Sequence, residues 1–265
     1  MTDGRGTARL MILVVPILIF IVAPLVVPVA MSISDTPYIR FPPEGFTLAW
    51  YGKVLANPEA QRSFLFSLWL ALVVTVLALV LGTTCAMGLV RHRFAGRDAI
   101  LLLVLSPLVV PLLVTGVALL QFFSMLGSRA TFAHLVIGHT IVCLPYVVRT
   151  VSASLAVADP NLEDAARVMG AGPWRVFRRV TWQQIQPGVL AGAIFAFIVS
   201  FDDYPISMWL SDAANFPLPL FLYVAIERFC DPSIAAISSL MIFFGLLLVF
   251  VTEKVLGISI KRIAG

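Results

Sequence analysis

Asp159–Pro187 reads DPNLEDAARVMGAGPWRVFRRVTWQQIQP, a polar stretch set between two long apolar runs. Asp159 can cap a helix, Pro160 suits its first position, and Glu163 and Asp164 fall near the first turn, where the positive helix end favours acids. Leu162, Ala165, Ala166 and Met169 recur at intervals of three and four, which gives a narrow apolar face with small residues at its middle. Gly170 and Gly172 end that helix, and Pro173 can open a second. In the second, Trp174, Phe177 and Thr181 share a face while Arg175, Arg178 and Arg179 supply charge. The pattern predicts a short helix–turn–helix with small residues where another protein can approach closely.

The surroundings decide the fold class. Of the 265 residues 60% are hydrophobic and 12% charged, with a mean hydropathy of +1.00. Water-soluble domains carry about 25% charged residues, so the chain is expected to be an all-α integral membrane protein. Six apolar runs reach the length of about 20 residues that a bilayer-crossing helix needs. They are Leu10–Ser32, Phe64–Val90, Ile100–Leu126, Phe132–Leu155, Val189–Leu210 and Ser233–Leu256. The first is longer than a signal-peptide apolar region, so it reads as a span. The expected organisation is one transmembrane domain over residues 1–265, with the polar loop at about 159–187.

The net charge of +4 is informative mainly through its distribution. With the amino terminus in the cytoplasm, Arg5, Arg9, Arg91, Arg93, Arg97, Arg167, Arg175, Arg178, Arg179, Lys254, Lys261 and Arg262 fall inside. Arg40, Lys53, Arg62, Arg129 and Arg228 fall outside, and Arg149 lies in the fourth span. Positive charge concentrates on the cytoplasmic side of membrane proteins. Both termini and the polar loop are therefore expected there. Arginines scattered over several loops do not make a nucleic-acid surface. Cys85 and Cys143 lie in spans, and Cys230 alone is expected outside, so no external disulfide within the chain is expected.

The polar loop also carries a resemblance. Asp164-Ala165-Ala166, three residues, then Gly170, with Ala171-Gly172-Pro173-Trp174 and Phe177 following, resembles the EAA loop of permease subunits in binding-protein-dependent ABC importers. Asp164 stands where that family has Glu, with Glu163 adjacent, and the usual Leu-Pro downstream reads Trp182-Gln183, the next proline being Pro187. The resemblance implies a type I importer permease. Glu163, Asp164, Ala165, Ala166, Gly170, Trp174 and Phe177 would then form the coupling helix that fits a groove on a cytoplasmic ATPase dimer. It further implies a second permease to complete the pathway and a periplasmic or lipid-anchored binding protein. ATP and Mg would reside on the ATPase, with no cofactor on this chain.

Two further stretches resemble the same family. SPLVVPLLVTGVALL in the third span holds Pro107, Pro111 and Thr115-Gly116, and is expected to be bent or locally unwound near its middle. Spermidine/putrescine-type members often carry an acid where this chain has Leu113. The fifth span ends in Ser200-Phe201-Asp202-Asp203-Tyr204-Pro205, similar to a run in the spermidine/putrescine and opine branch. Paired acids in an apolar setting are costly and point to function, and Pro205 interrupts the helix beside them. Asp202, Asp203, Tyr204 and Thr115 are thus candidates for the substrate pathway, with a polyamine or related cationic or amino compound as solute. Alternatively, one acid caps the following segment and the other pairs with a partner permease.

Elsewhere the signals are weaker. Pro37, Pro42 and Pro43 predict an irregular loop, followed by a short surface helix over Leu48–Leu55, with Trp50 and Tyr51 suited to the membrane interface. His134 and His139, five apart, do not share a helical face, so no paired metal site is expected. Arg149 is expected either to reach the headgroups or to pair with an acid of the polar loop. Asn215–Pro232 reads as an external hairpin with an amphipathic Leu220–Arg228. No GxxxxGK[ST] phosphate loop occurs, so ATP binding by that mechanism is excluded for this chain. No nucleophile–base motif occurs either. An ion-coupled carrier or channel acting alone is the alternative function, but it leaves the Asp159–Pro187 loop without a purpose.

Overall fold

A computed structural model describes residues 4–228 and 231–256, and among these every regular element is helical. Cys230 and the basic positions Lys261 and Arg262 lie outside the described residues. The helices are α1 (Gly4–Met31), α2 (Ala49–Leu55), α3 (Pro58–Arg91), α4 (Arg97–Leu105), α5 (Leu112–Met125), α6 (Thr131–Val157), α7 (Pro160–Val168), α8 (Pro173–Val176), α9 (Trp182–Phe201), α10 (Pro205–Leu210), α11 (Leu218–Arg228) and α12 (Pro232–Leu256). Among the described residues, five segments are long and apolar enough to cross a membrane alone: Val14–Met31, Pro58–Arg91, Thr131–Val157, Pro173–Phe201 and Pro232–Val251. A sixth consists of Arg97–Leu108 and Leu112–Met125, bent by 106° at the break between them.

The third span is unwound near its middle, as expected, and forms two helices that meet at Val109–Pro111. A 3-10 turn over Ser106–Leu108 closes the first half, with Ser106 O accepting from the N–H groups of both Val109 (3.0 Å) and Val110 (3.1 Å). Pro107 and Pro111 lack donors, so the helical ladder cannot run through. The fifth starts at Pro173 instead of Val189. Pro187 sits inside α9, and a five-residue π turn, Phe177–Thr181, joins α8 to α9 without a break. The second helix of the polar loop is therefore the foot of the fifth span.

By packing, the chain divides into two units: residues 1–61 with 222–251, and residues 62–221 with 252–265. In the first, α1 contains Pro16, Pro24 and Pro28, and every residue from Val14 to Val26 is exposed. The loop after it is irregular yet closed by polar contacts. Trp50 Nε1 donates to Ser34 O (2.8 Å), Ser32 Oγ and Tyr51 OH share a hydrogen bond (2.7 Å), and Asp35 N donates to Glu44 O (2.8 Å). Trp50 thus fastens the loop. Lys53 of α2 pairs with Asp231, just before α12, at 2.6 Å.

The second unit has its core around α6. Leu135, Val142, Val147, Val148 and Val151 pack against Leu70, Val74 and Ala78 of α3, Ile185, Val189 and Ala196 of α9, and Ile206 and Leu210 of α10. Lipid is as apolar as leucine, so helix association in a membrane depends on close packing more than on apolar burial, and small residues at the contact allow it. The α6–α9 contact follows that rule. A Cβ on Gly188 would lie 2.5 Å from Thr150 O and against Ser154 Oγ, and one on Gly192 would lie 2.8 Å from Thr150 Oγ1.

The short α10 is tied at both ends. Asp203 Oδ1 accepts from Ile206 N (2.8 Å) at its start. Beyond its end, Asp212 Oδ1 accepts from Ala214 N (2.9 Å), Asn215 N (2.8 Å) and Asn215 Nδ2 (2.9 Å). The Thr131 hydroxyl, followed by these donors, lowers the Asp212 carboxyl to about 2.

Two outcomes are expected. Gly188→Ala, which drives a methyl into α6 backbone, should destabilise the protein by about 1–3 kcal/mol through overpacking. It should lower Tm in detergent, whereas Gly245→Ala, with nothing within 4 Å, should not. Asp212 is depressed in the folded state, so its contribution is present above the ordinary carboxylate pKa and lost as pH falls toward 2. The Tm gap between wild type and Asp212→Asn should therefore be open at pH 6 and closed at pH 2; a constant gap would count against the ionised form as the source.

Candidate functional site

The polar loop is built as its residues dictate. Asp159 Oδ1 accepts from Asn161 N (2.9 Å) and caps α7, Pro160 occupies the first helical position, and Asp159 N donates to Gln184 Oε1 (2.7 Å). At the other end Gly170 adopts φ +81°, a left-handed conformation that glycine takes without penalty. That turn lets Ala171 N donate to Ala166 O (3.0 Å) and Gly170 N to Arg167 O (2.9 Å), the bonding of a glycine helix cap. Gly172 does not share in ending α7; it caps α8, with Pro173 at its first position.

The faces of α7 separate two groups of residues. Leu162, Val168, Met169 and Trp174 point outward, with Val168 89%, Met169 88% and Trp174 71% exposed. Ala165 is exposed beside them and Ala166 half-buried. Trp174 stacks on Phe177 at 5.6 Å, which fixes the ring despite its exposure. Asp164 faces outward and pairs with Arg167 at 2.7 Å. Around the Gly170 turn a Cβ would meet nothing within 4 Å. This is an apolar crown on a rigid turn.

Glu163 does the opposite. It is 6% exposed and turned inward, where Oε1 accepts from Arg91 Nη2 (2.6 Å) and from Thr181 Oγ1 (2.8 Å), and Oε2 lies 3.4 Å from Arg167 Nη2. Two of these partners were not legible as such. Arg91 reads as one of a basic cluster closing the second span, and Thr181 as a member of an apolar face. Arg149, the other candidate for pairing with the loop, is exposed on α6.

The second cluster lies where the fifth span stops. Asp202 follows Phe201 at the helix end and is exposed, whereas Asp203 is 5% exposed and committed to Ile206 N. The capping reading therefore describes Asp203, and the two carboxylates have different environments. Tyr204 OH donates to Met208 Sδ (3.1 Å). Thr115 is half-buried and its hydroxyl turns back to Pro111 O (3.4 Å), while its neighbour Gly116 brings α5 against Trp209 and Pro205 of α10. The structure thus brings α5 to the break.

His139 is the residue that sequence reasoning passed over. Buried on α6, it bridges the interruption, Nδ1 to Ser200 Oγ (3.0 Å) before it and Nε2 to Ser207 Oγ (3.2 Å) after it. The signal was present: two serines seven apart flank the acids, and a polar histidine sits in the middle of a mainly apolar helix. His134 is separate, stacked on Phe123 at 4.0 Å and hydrogen-bonded to Ser128. Among the described residues no group of three His, Cys, Asp or Glu side chains is placed to hold a metal.

Comparison with known proteins gives this architecture its context. The profile of the family described as binding-protein-dependent transport system inner membrane component matches residues 78–265. The putrescine transport system permease protein PotI of Escherichia coli is 30% identical over 230 residues, 84% of this chain and 82% of that one. The spermidine/putrescine transport system permease protein PotC of Haemophilus influenzae is 28% identical over 212 residues, 80% and 82% of the two chains. The sulfate transport system permease protein CysT of Escherichia coli is 26% identical over 232 residues, 82% and 84%. In fold, the chain is similar to a bacterial ABC transporter involved in import of the acidic polysaccharide alginate, at a TM-score of 0.69 and 15% identity over 97% of this chain and 96% of that one. With the helices, the broken third span and the loop between α6 and α9 in place, the chain belongs to the binding-protein-dependent transport system inner membrane components, as a multi-pass permease subunit of an ABC importer.

Proposed function

We propose that this permease carries a small cationic solute, a polyamine or related amino compound, across the bacterial inner membrane. It would act with a second, homologous permease, a cytoplasmic ATPase dimer that holds ATP and Mg, and a periplasmic or lipid-anchored binding protein. The observation that carries the ATPase contact is the crown of Leu162, Val168, Met169 and Trp174, uncovered on a turn fixed by Gly170. Exposed apolar side chains are suited to filling a groove on another protein, and Trp174, stacked on Phe177, loses little side-chain freedom on binding. The distribution of positive charge supports placing that crown, with both termini, in the cytoplasm.

A cationic solute is supported by PotI and PotC, and by Asp202, an exposed acid at a helix break, the kind of place where transporters receive solute. The similarity to CysT, a sulfate permease, is why the carboxylate and not family likeness alone carries the choice of sign. A positively charged amine would meet Asp202; a sulfate would be repelled.

Two measurements test the proposal. Affinity purification of the tagged chain from mild detergent should bring down an ATPase and a second permease. Gly170→Asp should lose the ATPase while the chain stays folded, since the added side chain meets nothing within this chain but strains the left-handed turn and obstructs a partner. A wild-type chain that purifies alone and still transports would overturn the importer assembly. In vesicles holding the whole transporter, Asp202→Asn should reduce uptake of labelled putrescine about tenfold or more, the scale of a lost charge-assisted hydrogen bond. Uptake that sulfate competes for, and putrescine does not, would overturn the cationic assignment.

A further inference from the structure

One carboxylate joins three parts of the second unit that are otherwise distant in the chain. Glu163 stands on α7, Arg91 is the last residue of α3, 72 positions earlier, and Thr181 closes the π turn at the foot of α9, 18 positions later. Both bonds end on the same oxygen, at 2.6 Å and 2.8 Å, and Thr181 is itself buried. Arg167 covers the second oxygen and also holds Asp164, so the carboxylate is enclosed by donors. A buried acid with several charge-assisted bonds is a stiff connection, and removing one partner leaves the others unsatisfied at high cost.

The surroundings are looser than the connection. A half-open cleft of about 400 Å³ lies beside the carboxylate, bordered among others by Met87, Arg91, Arg167, Phe177 and Thr181. The π turn adds to this, because its widened ring holds one residue more than an α-helical turn and is a recurrent feature of functional sites. Open space and a wide turn leave α7 room to shift against α3 and α9, with the carboxylate linking all three.

From this geometry we infer that Glu163 is a positioning residue which transmits displacement of the exposed crown to the second and fifth spans together, by its shared hydrogen bonds to Arg91 and Thr181. The inference rests on the crown being the ATPase contact proposed above. Its chemistry is distinct from docking: Asp164, Met169 and Trp174 face the partner, whereas Glu163 faces the spans. A loop that docks but lacks the inward carboxylate should move without moving both helices, so ATP would be spent with little solute carried.

The test uses the full importer, with both permeases, ATPase and binding protein, in proteoliposomes, reading putrescine carried per ATP hydrolysed. ATPase retained on purification is read alongside. Glu163→Gln, which keeps the shape and an acceptor for Thr181 but removes the charge, should retain the ATPase and lower solute per ATP about tenfold. Thr181→Val, an isosteric loss of one bond, should lower the ratio by less, and Arg91→Lys, which keeps the charge, should preserve most of it. An unchanged ratio in both Glu163→Gln and Thr181→Val would overturn the inference. Loss of the ATPase from Glu163→Gln would also overturn it, by moving Glu163 into docking. Should Glu163→Gln fail to fold, Thr181→Val with a wild-type ratio is enough to reject transmission. A wild-type complex that never retains an ATPase would instead remove the function on which the inference stands.

Discussion

The close approach of α6 and α9 is the constraint on which the rest of the second unit depends. Thr150 and Ser154 on one helix and Gly188 and Gly192 on the other leave no space for another methyl. In lipid this contact is not driven by withdrawal of apolar surface from water, so it must come from backbone proximity and matched shape. Once α6 and α9 are joined, α3 packs into the remaining side through Gly82, where a Cβ would meet Val147 at 2.7 Å. Gly138 does the same for α10, whose Ile206 and Leu210 lie where its Cβ would be. Small residues thus fix the arrangement, and larger ones fill it.

The interruptions of the helices obey a second constraint, that backbone groups inside a membrane protein need partners. At 202–204 the ladder stops. Asp203 accepts from Ile206 N, and His139 links the side chains of Ser200 and Ser207 on either side, so polar contacts span the break. The bend at Val109–Pro111 uses another solution, a 3-10 turn and two prolines that have no donors to satisfy. Through Gly116, α5 packs against Pro205 and Trp209 of α10, just after the second break. An exposed Asp202 beside such a region is a charge supported by a rigid frame, which suits recognition better than a charge on a mobile loop.

Much of the polar loop was legible because its residues act locally. Asp159 caps, Pro160 starts a helix, Gly170 turns left-handed and Pro173 starts again; each needs only its neighbours in the chain. The spans were legible for a similar reason, since crossing a bilayer is a matter of length and apolarity. What could not be read depends on distant partners. Glu163 and Asp164 are adjacent acids in sequence, yet one is buried and the other exposed, and the positions of Arg91 and Thr181 separate them. The start of the fifth span was misplaced because Pro187 and the polar residues before it look like an ending. A π turn has no residue signature comparable to a glycine cap, so continuity through Phe177–Thr181 is invisible without coordinates. His139 was passed over because its partners are 61 and 68 residues away.

The uncovered first helix has a consequence for how this chain can vary. From Val14 to Val26 no side chain of α1 is enclosed by the rest of the chain, and three prolines are accommodated along it. Such a helix is constrained by its general character, apolar and of sufficient length, and scarcely by which apolar residue stands where. Exchange of Leu for Ile or Val there alters no jigsaw of the kind that surrounds Gly188. The family profile takes up the chain at residue 78, within α3 and beyond this helix.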